Sequence, residues 1–169
     1  MNSPLLASLF KYKAWANEEL FVCLKGMEET AQRAERHTAI RILNHVYVVD
    51  RIFEANLQER RHGHTATNTP ETPTLQSLWE SVQTTDRWYC EYVSTLSRDA
   101  LEEQIEFAFV DGDLGLMSRE EMLAHVLTHG SYHRGAVGRV LAQLSIAPPR
   151  DILTQYLHTA EPERRRLQR

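Results

Sequence analysis

Apolar residues recur at three- and four-residue steps in four long stretches of the chain, a period that predicts amphipathic helices. The first stripe is Leu5, Leu6, Leu9, Trp15, Leu20 and Leu24. Ser3-Pro4 opens it with a capping serine and a proline at the first helical position, and Gly26 stops it. Residues 26–37 are polar and weakly patterned, which predicts a connection with one short turn. The second helix is expected to begin near Thr38, to carry Ile42, Leu43, Val46, Val49, Ile52 and Phe53, and to end at His62-Gly63. His45 and Asp50 are the polar intruders on its apolar face. Residues 64–74, HTATNTPETPT, read as a mobile loop near one end of the molecule. A third helix runs from about Thr74 to Leu96, with Leu75, Leu78, Val82, Tyr89, Tyr92 and Val93 on one face and Trp79 and Trp88 adding bulk.

After a short turn over 97–104 the period changes. IEFAFVDGDLGLMS alternates around Asp111-Gly112, a strong short-range hairpin signal, and predicts two short strands or an extended loop that could partly cover the next helix. Ser118 and Glu121 form an S-x-x-E capping box, so the fourth long helix starts at a marked place and runs to Leu144. Ser131, Gly135, Gly138 and Ala142 are small residues at helical steps; glycines there cost about 1 kcal/mol each against alanine, and close approach of another helix, within the chain or across a dimer, would compensate. Ala147-Pro148-Pro149 ends the element, and DILTQYL reads as a final turn or strap. The expectation is an all-α protein: an antiparallel four-helix bundle with a long connection and a short hairpin before the last long helix. One domain would span 1–160, followed by a charged tail, 161–169.

The fourth helix carries the chemistry. His125, His129 and His133 stand at successive steps of four and share one face. Neutral imidazole is the commonest side-chain metal ligand, and two at i, i+4 can grip one ion. His125 and His133 lie roughly 12 Å apart along the axis, while ligand bonds to zinc are about 2 Å. One ion therefore takes 125/129 or 129/133, with His129 in both choices. A third ligand must come from elsewhere, and His45 is the best candidate. The plain alternative is that these are ordinary core or surface histidines. Asp50 could orient a ligating ring or be an exposed carboxylate. His62 and His64 read as solvated loop residues, and Trp15 and Asn17 as packing or site-lining residues.

Composition narrows the picture. A formal charge of −4 gives no electrostatic case for nucleic-acid binding. There is no apolar run long enough for a membrane helix and no secretory signal at the start, so a cytoplasmic location is the expectation. Cys23 and Cys90 form no CxxC pair and no disulfide framework, and read as buried reduced thiols.

Three segments together resemble the DinB family of small metal-binding four-helix proteins. YKAWANEEL is similar to that family's Y-x-x-W-A-N opening, LNHVYVVDRIF to its second-helix motif, and HVLTHGSYHRGAVGRVLAQL to its H-x-x-x-H-R-G segment. The resemblance covers most of the chain. It implies that His45, His129 and His133 are the metal ligands, with His125 a supporting or packing residue and Tyr132 and Arg134 flanking the site. It also implies a homodimer, and that length variation in the 62–74 loop leaves the site undisturbed. Three neutral imidazoles leave a divalent ion its charge and open positions, where a water or a thiol loses its proton more readily. Zinc or nickel comes first, with iron or manganese also compatible. The expected function is a metal-dependent enzyme of the thiol-dependent S-transferase or hydrolase type acting on a small molecule, with a low-molecular-weight thiol as a candidate partner. Glu121 and Asp50 are candidate bases only. The rivals are a non-catalytic metal- or ligand-binding bundle with a structural or sensing role, and a structural helical dimer without metal.

Overall fold

The computed structural model describes residues 3–165. They form helices α1 (Pro4–Lys25), α2 (Arg33–Leu57), α3 (Leu75–Thr95), α4 (Arg98–Glu102), α5 (Arg119–Gln143) and α6 (Leu153–Ala160). Strands β1 (Gln104–Ala108) and β2 (Leu114–Ser118) form one antiparallel pair, and a 3-10 turn covers Pro162–Arg164. Residues 166–169 of the expected charged tail lie outside the described residues.

The cap signals hold. Ser3 accepts from the Leu6 amide, Thr74 from that of Ser77, and Ser118 and Glu121 make both halves of the capping box. The boundaries of α2 differ from expectation. It starts at Arg33, because Arg33, Ala34, Glu35 and Arg36 are good helix formers with no apolar period to show it. It stops at Leu57 rather than His62-Gly63: Glu59 adopts φ 54°, and the amide of Arg60 closes back onto the Ala55 carbonyl. The hairpin forms in the register Gln104↔Ser118 to Ala108↔Leu114, with Gly112 at φ 96° in its turn. A Cβ at Gly115 would fall 2.6 Å from the Phe107 ring, so only glycine lets the buried Phe107 lie flat across its partner strand.

Two apolar clusters form the core. The first joins Leu6 and Phe10 of α1, Val49, Phe53 and Leu57 of α2, Tyr89 and Val93 of α3, the hairpin's Ile105 and Phe107, and Met122, Leu123 and Val126 of α5. The second joins Leu20 to Leu24, Ala39 to Leu43, Leu75 to Val82, and Val137 and Leu141. Along α1 and α5 the first cluster precedes the second; along α2 and α3 the order reverses. α1 packs on α3 and α5, and α2 packs on the same two. Hence α1/α3 and α2/α5 are antiparallel, whereas α2/α3 and α1/α5 are parallel. The expected all-α class holds, and of these four pairs two are antiparallel and two parallel.

The parallel α2/α3 pair obliges residues 58–74 to travel back along the length of α2, and they are tied to it throughout. His37 bonds the Thr72 hydroxyl, Arg41 donates to the carbonyls of Thr69 and Glu71, Asn44 donates to Thr69, and Asn68 donates back to the Arg41 carbonyl. The expected mobile loop at one end is instead a strap fastened to the side of a helix. Within the chain, Gly135 and Gly138 of α5 meet no other helix. Gly138 faces Pro148 at 3.5 Å, a residue of the chain's own return, and Gly135 has open space. The close approach is at Gly130.

A candidate metal centre in a polar layer

Between the two apolar clusters, at mid-height, the helices present polar residues. On the α2/α5 side these are His45, His129 and His133, all half-buried and so reachable from solvent. One ring nitrogen from each lies within 4.8 Å of the others, and the Nε2 atoms of His45 and His129 are 3.1 Å apart. Tetrahedral zinc with bonds near 2 Å needs nitrogens about 3.3 Å apart, so small rotations of these rings suffice. Of the two pairs on α5, 129/133 is the one that the fold brings together with His45. His125 lies one turn away, stacked between Phe53 (ring centroids 4.5 Å) and His129 (5.3 Å).

Proton accounting favours a cation here. His45 Nδ1 lies 2.7 Å from the Thr67 carbonyl, an acceptor only, so Nδ1 donates to it and Nε2 is the nitrogen turned toward His129. Burial and the neighbouring His133 and His45 hold His129 down to about 3, so it is neutral near pH 7. His129 Nδ1 is buried with no partner among the described residues, as a donor or as an acceptor, so its tautomer is set on the Nε2 side. With the proton on Nδ1, the Nε2 lone pair faces His45, and a divalent ion between the rings would be met by it. Burial also lowers His133 and His125. The donor set therefore fits a divalent metal.

The inner half of the layer is charged. Lys13, 1 % exposed, places its ammonium 2.8 Å from Asp50 and 2.6 Å from Asp86. Asn17 donates to Asp86 at 2.8 Å and accepts from Arg134, whose guanidinium pairs with Asp151 at 2.7 Å. Tyr12 donates to the same Asp151. Burial alone would lower the Lys13 pKa, but the two carboxylates overcome it and hold the ammonium charged. One ammonium cannot neutralise two buried carboxylates: burial pushes Asp50 up to about 6 despite Lys13, with Asp86 adding to the rise.

These positions correct several expectations. Asp50 neither orients a ligand ring nor faces solvent; it is buried on Lys13. Glu121 is consumed by the cap, its carboxylate accepting from the Ser118 amide. Trp15 is half-buried on Tyr156, and Asn17 belongs to the charged network. His62 leans toward the Ala108 carbonyl and lies outside the triad, as does His64. Tyr132 is 77 % exposed and edges the His133 ring. Cys23 and Cys90 are only half-buried, and burial pushes both thiols up. The hairpin connects to the site through ring contacts from Phe107 to Phe53 and from Phe53 to His125. Thr67, Lys13 and Asp86 went unread in the sequence. A signal existed for the last two: Phe10, Lys13, Asn17 and Leu20 share one helical stripe, as do Val82, Asp86, Tyr89 and Val93.

A mainly helical chain with a histidine triad able to hold a metal ion is the class defined here. The chain belongs to the DinB family, whose pattern it matches over residues 1–166. It is 23% identical to Protein DinB of Bacillus subtilis (strain 168) over 176 aligned positions, spanning 96% of this chain and 99% of that protein. No solved structure matches it significantly. None of the helices among the described residues is long and apolar enough to cross a membrane.

Proposed function

We propose that His45, His129 and His133 bind one divalent metal ion, zinc or nickel first, and that the protein is a metal-dependent enzyme of the thiol-dependent S-transferase or hydrolase type. The observation that carries the reading is the convergence of three half-buried imidazoles whose nitrogens lie within 4.8 Å. Bound there, the ion would supply a Lewis acid with free positions, lowering the pKa of a water or thiol. The protein's own part is to lower the pKa of His129 and His133 by burial and to hold the His45 ring through Thr67. A non-catalytic metal protein would close the site with a fourth protein ligand. The two candidates for that place are engaged elsewhere, Asp50 on Lys13 and His125 on Phe53, which favours the enzyme. The reading takes the four long helices as a four-helix bundle in one domain over 1–160, working in the cytoplasm as a homodimer on a small molecule.

Metal content of untagged protein, measured by mass spectrometry for wild type, His45→Ala and His129→Ala, tests it. The expected result is about one ion per chain in wild type and none in either variant, with a chelator lowering the melting temperature of wild type alone. Full occupancy in either variant removes that histidine from the ligand set. An empty wild type after reconstitution with zinc, nickel and manganese removes the metal.

A further inference from the structure

Five polar residues of the three family-like segments converge on one place away from the triad. Tyr12, Lys13 and Asn17 come from the first segment, Asp50 from the second and Arg134 from the third. With Asp86 and Asp151 they form a continuous network in which Lys13 holds the central charge. It lies directly behind the imidazoles. A Cβ on Gly130, the residue after His129, would stand 3.1 Å from Arg134 Nη1, 3.7 Å from Lys13 Cε and 4.0 Å from the Cγ1 of Val46, the residue after His45. The lysine chain thus lies close behind the α5 backbone at His129, while its ammonium grips α2 through Asp50, about one and a half turns beyond His45. Asp86 anchors that ammonium to α3, which supplies none of the three histidines.

Resting on the metal reading above, we propose that Lys13 is the positioning residue of the metal centre, fixing from within the separation of α2 and α5 across which His45 meets His129 and His133. A lysine suits this task because it is a long, thin stem ending in a charge. The stem fits against a glycine-faced helix, and the ammonium reaches two carboxylates on two other helices. A hydrophobic residue of the same length would fill the space but could not tie α2 to α3.

The test is cobalt(II) binding, read by its visible ligand-field bands and by competition with a chromogenic chelator. Four proteins are compared, each at a temperature where circular dichroism shows it folded: wild type, Lys13→Met, Val93→Ala, and Lys13→Met combined with Asp50→Asn and Asp86→Asn. Val93 is buried on α3 in the first apolar cluster, so its truncation lowers stability away from the network. The expected result is roughly ten- to a hundredfold weaker cobalt binding with altered bands in both Lys13 variants, and wild-type affinity and bands in Val93→Ala. Wild-type binding by folded Lys13→Met overturns the positioning role while leaving the metal site standing. Equal weakening in Val93→Ala also overturns it, by showing that any loss of stability suffices. If Lys13→Met does not fold, the triple variant decides, because it removes the uncompensated carboxylates along with the ammonium; wild-type cobalt binding there overturns the proposal. Absence of cobalt bands in wild type itself removes the metal reading, and the positioning role with it.

Discussion

The two halves of the mid-height polar layer meet on α2 and serve opposite ends. The inner half, Lys13 with Asp50 and Asp86, carries its own cation and is sealed by the two apolar clusters. The outer half, His45, His129 and His133, gathers lone pairs without a cation and stays half open to solvent. Both bring electron donors together inside a helix assembly. The difference is whether the chain provides the counter-charge. Where it does, the residues are held together and serve the fold; where it does not, the residues are poised for something from outside. Buried ion pairs are weak stabilisers against well-packed apolar residues, so the inner half is better read as a device for geometry than as a source of stability.

Removing the cation from the inner half is expected to have the largest effect. Lys13→Met strands two buried carboxylates and should lower unfolding free energy by about 3–5 kcal/mol, measured by urea denaturation at pH 7. A loss under 1 kcal/mol would mean that the carboxylates escape to water and that the inner half is not sealed. On the outer half, His129→Ala should abolish the gain in melting temperature that wild type shows on adding zinc, while its metal-free melting temperature stays much closer to that of wild type than does that of Lys13→Met. If the metal-free His129→Ala protein is the less stable of the two, the division between the halves fails.

Asp50 sharpens the contrast through pH. Its carboxyl titrates near 3.8 in the unfolded chain and at about 6 in the fold. Its contribution to stability is therefore complete below 3.8 and lost as the pH rises through 6. Asp50→Asn cannot show that loss. The stability of wild type relative to the variant should fall between pH 4 and 7, followed by urea midpoints; a constant difference would place Asp50 with an ordinary carboxylate pKa. The smallest effect is expected at the strap. Asn44→Ala releases Thr69, and with it the stretch that brings Thr67 to His45. Zinc affinity should drop by roughly tenfold, with little change in metal-free stability. An unchanged affinity would show that Thr67 is placed by the remaining bonds between Arg41 and the strap, which run from its guanidinium to the Thr69 and Glu71 carbonyls and from Asn68 to its own carbonyl.

Much of this was written locally. The third helix from Thr74 to Leu96, the hairpin at Asp111-Gly112 and the start at Ser118 all follow from short-range patterns: an apolar period of 3.6, a turn dipeptide and a capping box. The i, i+4 histidines of α5 were legible for the same reason, since one helix face is fixed by spacing alone. The choice of 129/133 over 125/129 needed the family-like motif around it. Asp50 was misread because a carboxylate on an apolar face has no local partner in sequence; its ammonium lies on another helix, 37 positions earlier in the chain.

By itself, then, the sequence determined the helices, their caps and a face of histidines, because each depends on residues within a few positions of one another. Tertiary structure alone decided which way the helices run. The parallel α2/α3 pair sends the 58–74 segment back along α2, and that return, not its composition, brings the Thr67 carbonyl to His45. Tertiary structure also paired Lys13 with two carboxylates on two other helices. Such pairings depend on which buried charges meet when four helix faces close, and no spacing along a single chain encodes that meeting.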